Sequence, residues 1–212
     1  VDNDGWPDMY LGTGAPDLAM LVPNRMFRNA GGKVFQDITT AAGVGHLQKG
    51  HGVAFGDLDN DGDQDIYEGM GGAYTGDAYW SVLFLNPGNR NRRITLQLEG
   101  VRSNRSAIGA RIRIRVQTPA GERDIHAGVS TGGSFGGSSL QQEIGLGDAK
   151  AIREIEIAWP ASGTRQIFKS VEMDQILKIK EDASEPVPVK LKRLDLAGGK
   201  PAGEHRHHEK PR

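Results

Sequence analysis

The sequence predicts an all-β protein that joins two different units, a pair of blade-like repeats and an antiparallel β-sandwich-like domain. Three observations predict this fold class. An acidic motif with a central glycine occurs twice at a fixed offset. In several short runs, apolar residues alternate with polar ones at a period of two, and Gly, Asn and Pro separate these runs.

The most informative stretch is DLDNDGDQDIYE at residues 57–68, which contains six carboxylates and no Lys or Arg. Two carboxylates about 4 Å apart repel by roughly 4 kcal/mol at an effective dielectric near 20, so this stretch is expected to bind a cation. Calcium fits best because it accepts six to eight oxygens at flexible geometry. Gly62 allows the sharp turn, and Asp63 is expected to offer its backbone carbonyl. The predicted metal ligands are Asp57, Asp59, Asp61, Asp63 and Asp65.

Other interpretations of this stretch are weaker. Magnesium requires near-octahedral geometry and retains its waters, which makes it the second choice. An acidic, solvated Asp-Gly turn is the structural alternative. The spacing also fits an EF-hand loop that ends at Glu68, but such a loop lies between two helices. The flanks HGVAFG and GMGGAY are rich in Gly and lack helical periodicity, so strands are predicted on both sides.

A second copy of the motif begins the chain as VDNDGWPDMYLGTG. Its aspartates stand 57 positions before Asp59, Asp61 and Asp65, and they form a second predicted set of ligands: Asp2, Asp4 and Asp8. The position equivalent to Asp57 precedes residue 1. We therefore expect this chain to be an N-terminally truncated fragment, and the sequence does not predict whether the incomplete first copy binds metal.

The repeat extends beyond the acidic motif, because MFRNAGG at 26–32 aligns with LFLNPGN at 83–89 at the same offset of 57. A period of 50 to 60 residues with several short strands is typical of a propeller blade, and one blade cannot bury its own faces. The sequence therefore predicts about two blades of an incomplete β-propeller over residues 1–89, with further blades upstream.

These residues resemble a known family. VAFGDLDNDGDQDIYEGMGG, its shorter partner and RNAGGKVFQDIT are similar to the FG-GAP (VCBS-type) repeat of integrin-like β-propellers. The resemblance implies a calcium site in the acidic loop between two strands of a blade, with the five aspartates of residues 57–65 on the ligand pattern.

Residues 90–182 differ in composition and do not continue the repeat. Apolar residues alternate along four predicted strands, and turns are predicted at 118–122 and 160–164, which indicates a small antiparallel sandwich with one solvated face. The alternating apolar residues are Ile94, Leu96 and Leu98; Ile112, Ile114 and Val116; Ile155, Ile157 and Trp159; and Leu177 and Ile179.

The motifs SNRSAIGARIRI, STGGSF, IGLGDA and IEIAWPASGT resemble the ASPIC/UnbV domain. This domain follows FG-GAP repeats in cartilage-acidic-protein-like (CRTAC-type) secreted proteins and in many bacterial proteins, and a bacterial member is expected. Residues 183–212 are predicted to be a linker or disordered tail, with a short strand within 187–194. The resemblance implies an extracellular, secreted or cell-envelope recognition or adhesion module with a protein or glycan ligand and no catalytic activity.

Composition agrees with this interpretation. The chain has no Cys, so folding must rest on burial and metal rather than on disulfides, and no apolar run approaches the ~20 residues of a membrane span. Residues 1–89 carry 4 basic and 12 acidic residues. Calcium would offset part of that negative charge.

Two functional alternatives remain open. The first is a secreted hydrolase whose active site lies outside this fragment. The second is a polyanion binder that uses an arginine-rich stretch at 90–115, in which only Glu99 opposes eight arginines. The missing aromatic residues in that stretch count against single-stranded nucleic acid. A solvated strand face, or a face that docks on the acidic repeats, is the structural alternative.

Two weaker motifs are interpreted structurally. Gly132, Ser134 and Gly136 match the nucleophile-elbow pattern, but the following residues predict a strand where the elbow needs a helix, so a flexible loop is expected. His205, His207 and His208 could bind a transition metal, yet a solvated tail explains them more simply.

Overall fold

The structure is a computed structural model that describes residues 1–14, 21–72, 75–132 and 135–196. Strands account for all the regular structure in these residues, which confirms the all-β prediction. Among them, no helix is long and apolar enough to cross a membrane. The strands are β1 (Met9–Leu11), β2 (Arg25–Ala30), β3 (Val34–Asp37), β4 (Gly50–Gly56), β5 (Asp65–Met70), β6 (Val82–Phe84), β7 (Arg92–Glu99), β8 (Arg111–Thr118), β9 (Gly121–Gly128), β10 (Gln142–Gly147), β11 (Ala151–Trp159), β12 (Thr164–Lys169), β13 (Ile176–Lys180) and β14 (Val187–Val189).

The two repeats form two three-stranded antiparallel sheets, blade 1 (β1-β2-β3) and blade 2 (β4-β5-β6). The offset of 57 seen in the sequence also governs the strand register. Tyr10 pairs with Met26 in blade 1, and Tyr67 pairs with Leu83 in blade 2. The repeat is therefore a structural unit, and two such antiparallel sheets repeated at a fixed offset fit a β-propeller-like fold.

Each blade lacks a strand that the other has. Blade 2 contains β4, whose equivalent in blade 1 would precede residue 1. Blade 1 contains β3, whose equivalent in blade 2 would lie at 91–94, where β7 begins. Strand β7 instead pairs with β10 and β13 in another sheet. Together the two sheets define four strand positions in a repeat. Strand β7 begins at the fourth position of blade 2 but pairs within a sheet of the second unit.

The second unit is a sandwich of two four-stranded sheets, with strand orders β10-β7-β13-β14 and β12-β11-β8-β9. The predicted alternation is confirmed, because the inward residues of β7, β8, β11 and β13 form its core while the arginines of β8 face outward. Trp159 is 1% exposed, and its indole N–H donates to Gln166 Oε1 at 2.6 Å. One detail differs from the antiparallel prediction: β13 runs parallel to β7, because the chain returns to that sheet from β12 in the opposite sheet.

Strand β14 lies within the region predicted as a linker or tail, and it extends the β13 edge of the sandwich over three residues. The expected strand at 187–194 is therefore shorter in the structure. The predicted disorder of 197–212, with His205, His207 and His208, lies outside the described residues, as does Ser134 of the nucleophile-elbow pattern.

The sandwich packs directly on the blades. Gly147 N–H donates to Asn3 O at 2.8 Å, and Val53 N–H of β4 donates to Phe135 O at 3.2 Å. Gln64 Nε2 donates to Glu143 Oε2 at 2.8 Å. Both acidic motifs therefore lie beside the sandwich, which gives them partners that a repeat alone would not provide.

Candidate metal centre

The acidic loop, residues 57–64, joins the antiparallel strands β4 and β5 and begins after the Gly56–Asp65 pair. Two residues of the loop adopt left-handed backbone conformations, Asn60 at φ 60° and Gly62 at φ 91°. A side chain at position 62 would also collide with the Arg93 guanidinium, since a Cβ atom there would lie 1.6 Å from Arg93 Nε. The flanking strands, in place of helices, agree with the rejection of the EF-hand.

Three carboxylates of the loop converge. Asp57, Asp59 and Asp61 each offer an oxygen, and these oxygens all lie within 4.8 Å of one another. Within the described residues, this is the one group of three acidic or histidine ligands that meets this spacing. Hard oxygen donors at this separation are the ligand type that calcium requires.

Backbone N–H groups hold these carboxylates in place. Asp57 accepts from Asp61 N–H at 2.9 Å and, through its other oxygen, from Gly62 N–H at 2.9 Å. Asp59 accepts from Asp61 N–H at 3.1 Å, and Asp61 accepts from Asp63 N–H at 3.0 Å. The side chains are thus ordered by the loop itself, which reduces the entropy that a metal ion would have to remove.

The other two predicted ligands face different partners. The Asp63 carboxylate accepts from Asn3 Nδ2 at 2.8 Å and from Asn89 Nδ2 at 2.6 Å. This leaves its backbone carbonyl as its predicted contribution. Asp65 accepts from Leu58 N–H at 3.0 Å and from Asn86 N–H at 2.9 Å. Its side chain therefore links the acidic loop to the segment that follows β6. Neither side chain belongs to the convergent group.

The electrostatics of the loop favour a bound cation. Burial raises the pKa of Asp57 above its usual range, N–H groups oppose this effect, and the charges of Asp61 and Asp59 raise the pKa further. Burial and the carboxylate of Asp61 also raise the pKa of Asp59 and of Asp63. A divalent cation would reverse these shifts, because an opposite charge stabilises the ionised form.

Two guanidinium groups reach Asp61. Arg93 of β7 donates to the Asp61 carbonyl oxygen, and Arg193 donates to Asp61 Oδ2 at 2.9 Å. These cations neutralise part of the loop's negative charge, whereas the convergent oxygens of Asp57, Asp59 and Asp61 are the donor set that fits the predicted calcium ion. Arg93 belongs to the arginine-rich stretch, for which docking on the acidic repeats was one alternative. Arg193, which lies 132 residues from Asp61, was not predicted as a partner of the loop.

The first loop repeats the geometry only in part. Asp4 N–H donates to Asp2 Oδ1 at 3.2 Å, and Asn29 N–H donates to Asp8 at 2.8 Å, each 57 positions before its counterpart in blade 2. Arg28 Nε lies 2.6 Å from Asp2 Oδ2. This arginine contacts the first loop directly, and Asp2, Asp4 and Asp8 do not form a group of three convergent ligands among the described residues.

Glu68, the twelfth residue of the EF-hand pattern, lies away from the loop. It is fully buried in β5, where Tyr10 O–H donates to its Oε2 at 2.9 Å. Burial raises its pKa. Glu68 therefore belongs to the contact between the blades, in agreement with its absence from the repeated unit.

Four of the eight arginines in the arginine-rich stretch form ion pairs with acidic residues that lie outside the stretch. Arg113 lies 2.8 Å from Glu154 and 2.5 Å from Glu156 across the β8–β11 pair, and Arg115 Nε lies 2.9 Å from Asp124 of β9. Two further ion pairs are Arg92–Asp174 and Arg102–Asp182. These partners reduce the net charge that the stretch offers to phosphates or sulfates.

Residues 1–68 match the family model described as FG-GAP-like repeat, and residues 100–186 match the model described as ASPIC and UnbV. No curated protein matches the chain. The two matches confirm the predicted order of families, and FG-GAP domains are typical of extracellular recognition and adhesion proteins.

Proposed function

We propose, from the match to an FG-GAP-like repeat followed by a match to ASPIC and UnbV, that the chain is a calcium-binding, non-catalytic module for recognition or adhesion outside the cell. Its ligand would be a protein or a glycan. Calcium would have a structural role, holding the acidic loop of blade 2 in one conformation.

One observation carries the proposal: Asp57, Asp59 and Asp61 place three oxygens within 4.8 Å of one another. All three carboxylates are ordered by N–H groups, and burial raises the pKa of Asp57 and of Asp59. In this proposal they hold the ion, with the Asp63 carbonyl and Asp65 as the remaining predicted ligands. The ion supplies the positive charge that lets the loop stay folded with all its aspartates ionised.

The position of the loop explains how bound calcium would reach the rest of the molecule. The loop contacts β7 through Arg93, and Asp65 at the end of the loop accepts from Asn86 N–H, two residues after β6. An ion there would stabilise the contact between blade 2 and the sandwich, and so the surface that both units present to a ligand. Rigid surfaces bind with less entropy loss than flexible ones.

The absence of catalysis is part of the proposal. In the described residues, the segment after Gly136 leads into β10 rather than into a helix, which does not support a nucleophile elbow. Turnover of ester or glycan libraries by the purified chain would contradict this part of the proposal.

Calcium titration by calorimetry, together with thermal melts in calcium and in chelator, tests the metal site. We expect about one ion per chain and a higher melting temperature in calcium, because a ligand that binds only the folded state stabilises it. Asp59→Asn keeps an oxygen that can accept the Asp61 N–H but removes the charge, and it should weaken binding at least tenfold. Asp148→Asn, an exposed aspartate of the sandwich, is the matched control. Equal affinities for these two variants would refute the assigned site.

The recognition role is tested with arrays of glycans and secreted proteins, probed in calcium and in chelator. We expect binding that requires calcium and that Asp59→Asn weakens. Binding that is unaffected by chelator would separate recognition from the metal site.

A further inference from the structure

Residues 190–196, which we name the strap, follow β14 and cross the acidic loop. Leu194 N–H donates to Asp59 O at 2.7 Å, and Asn60 Nδ2 donates to Lys192 O at 2.9 Å. Arg193 donates to Asp61 Oδ2 at 2.9 Å. The strap therefore contacts three successive residues of the acidic loop, Asp59, Asn60 and Asp61.

The Arg193–Asp61 ion pair is unequal in burial. The Asp61 side chain is 8% exposed, while that of Arg193 is 70% exposed. The carboxylate is fixed within the loop, whereas the guanidinium can move into water with little loss of packing. Arg193 is thus the member of the pair that can leave.

We propose that the strap is a built-in competitor of calcium: Arg193 neutralises the acidic loop when no divalent cation is bound, and calcium displaces it and releases the strap. This inference rests on the proposed function, because it requires calcium at Asp57, Asp59 and Asp61. It adds a conformational consequence to the metal site.

Charge is the physical reason for the competition. A guanidinium bonded to Asp61 Oδ2 stands within about 5 Å of an ion held by the same carboxylate group, and charges of +1 and +2 at that distance repel strongly. Arg93 differs, because it donates to the Asp61 backbone carbonyl and is anchored in β7. It can keep its contact while Arg193 gives way.

Release would be local. Strand β14 pairs with β13 in the sandwich from Val187 to Val189, so the chain before the strap stays in place. Leu194 and Leu196, which are already exposed and line a pocket with Asp59 and Leu85, would move away from the acidic loop together with the strap. Calcium would then control which surface this part of the molecule presents.

The first test compares calcium affinity by calorimetry in wild type, Arg193→Gln and Lys192→Gln. Both variants remove one positive charge from the strap, but only Arg193 contacts an aspartate side chain of the loop. We expect Arg193→Gln to bind calcium about five to ten times more tightly than wild type, and Lys192→Gln to change affinity less than twofold. Equal affinities for the two variants would overturn the inference.

The second test measures hydrogen exchange in the intact protein with and without calcium. Exchange of the strap is read from a proteolytic fragment that contains residues 190–196. Calcium should increase exchange at Leu194, whose N–H bonds to Asp59 O, while exchange in β13 stays unchanged. Unchanged or slower exchange at Leu194 in a calcium-bound sample would overturn the strap mechanism and leave the metal site standing. If wild type and both variants bind no calcium, the proposed function and this inference both fail.

Discussion

Replacing Glu181 with Gln is expected to remove a pH-dependent part of the stability of the sandwich. The Glu181 side chain is 2% exposed, and its Oε2 accepts from the N–H groups of Val101, Arg102 and Ser103 at 2.7 to 2.8 Å. Its Oε1 accepts from the hydroxyl groups of Ser103 and Ser162. The charged carboxylate therefore fixes the loop that follows β7.

The size of the effect follows from the pKa of this group. Burial alone would raise the pKa of Glu181, but the hydrogen bonds from Ser103, Ser162 and Val101 outweigh it and lower the pKa from 4.5 to about 2. At 1.36 kcal/mol per pKa unit, this difference corresponds to about 3 kcal/mol. Because the folded-state pKa is lowered, the stabilisation is complete above the unfolded-state pKa near 4.5 and is lost as the pH falls towards about 2.

Urea unfolding of wild type and Glu181→Gln at a series of pH values measures this contribution. Gln preserves the shape of the side chain and one acceptor oxygen, so the variant should be less stable by about 2 to 3 kcal/mol at pH 7 and nearly equal to wild type near pH 2. Glu185→Gln, an exposed residue of the next segment, is the control and should change stability little at any pH. A difference between wild type and Glu181→Gln that does not depend on pH would refute the reasoning.

Three further predictions concern the metal loop, the contact between blades and the sandwich core. Gly62→Ala should weaken calcium binding at least tenfold in calorimetry, because the residue has φ 91° and an added Cβ would overlap a guanidinium; unchanged affinity would contradict this. Tyr10→Phe should lower the free energy of unfolding by about 1 to 3 kcal/mol, because buried Glu68 loses its hydroxyl donor; a neutral result in urea unfolding would count against it. Ile155→Ala should destabilise the protein by about 2 to 5 kcal/mol, since this side chain is fully buried, whereas Ile167→Ala at 52% exposure should cost much less; equal losses would show that the core is assigned wrongly.

The parts of the fold with a short-range signal could be predicted from the sequence. The alternation in β8 and β11 marks the buried face because side chains of a strand point to opposite sides. The offset of 57 predicted the repeat, and the register of β1–β2 and β5–β6 follows it pair by pair. The predicted turn at 160–164 lies between β11 and β12.

The contacts between distant segments could not be predicted. Arg113 reaches Glu154 and Glu156 because β8 and β11 are neighbours, and no local pattern specifies that two strands 40 residues apart will pair. The same holds for Arg93 and Arg193 at the metal loop. The spacing of the aspartates predicts a metal site in this loop, but only the fold shows that the side chains of Asp63 and Asp65 face other partners.

Strand β7 stands at the fourth strand position of blade 2 and also belongs to the sandwich, which limits where further repeats can be added. A copy of the repeat inserted in the connection between β3 and β4 would separate Tyr10 from Glu68 and move blade 1 away from the sandwich, which now donates from Gly147 to Asn3. A copy inserted after β6 would separate Arg93 from Asp61 and move the sandwich off the loop it now contacts. The sandwich therefore ends the row of repeats on its own side: a designed chain with a repeat added before β1 should keep the Arg93–Asp61 contact, while one with a repeat added after β6 should lose it.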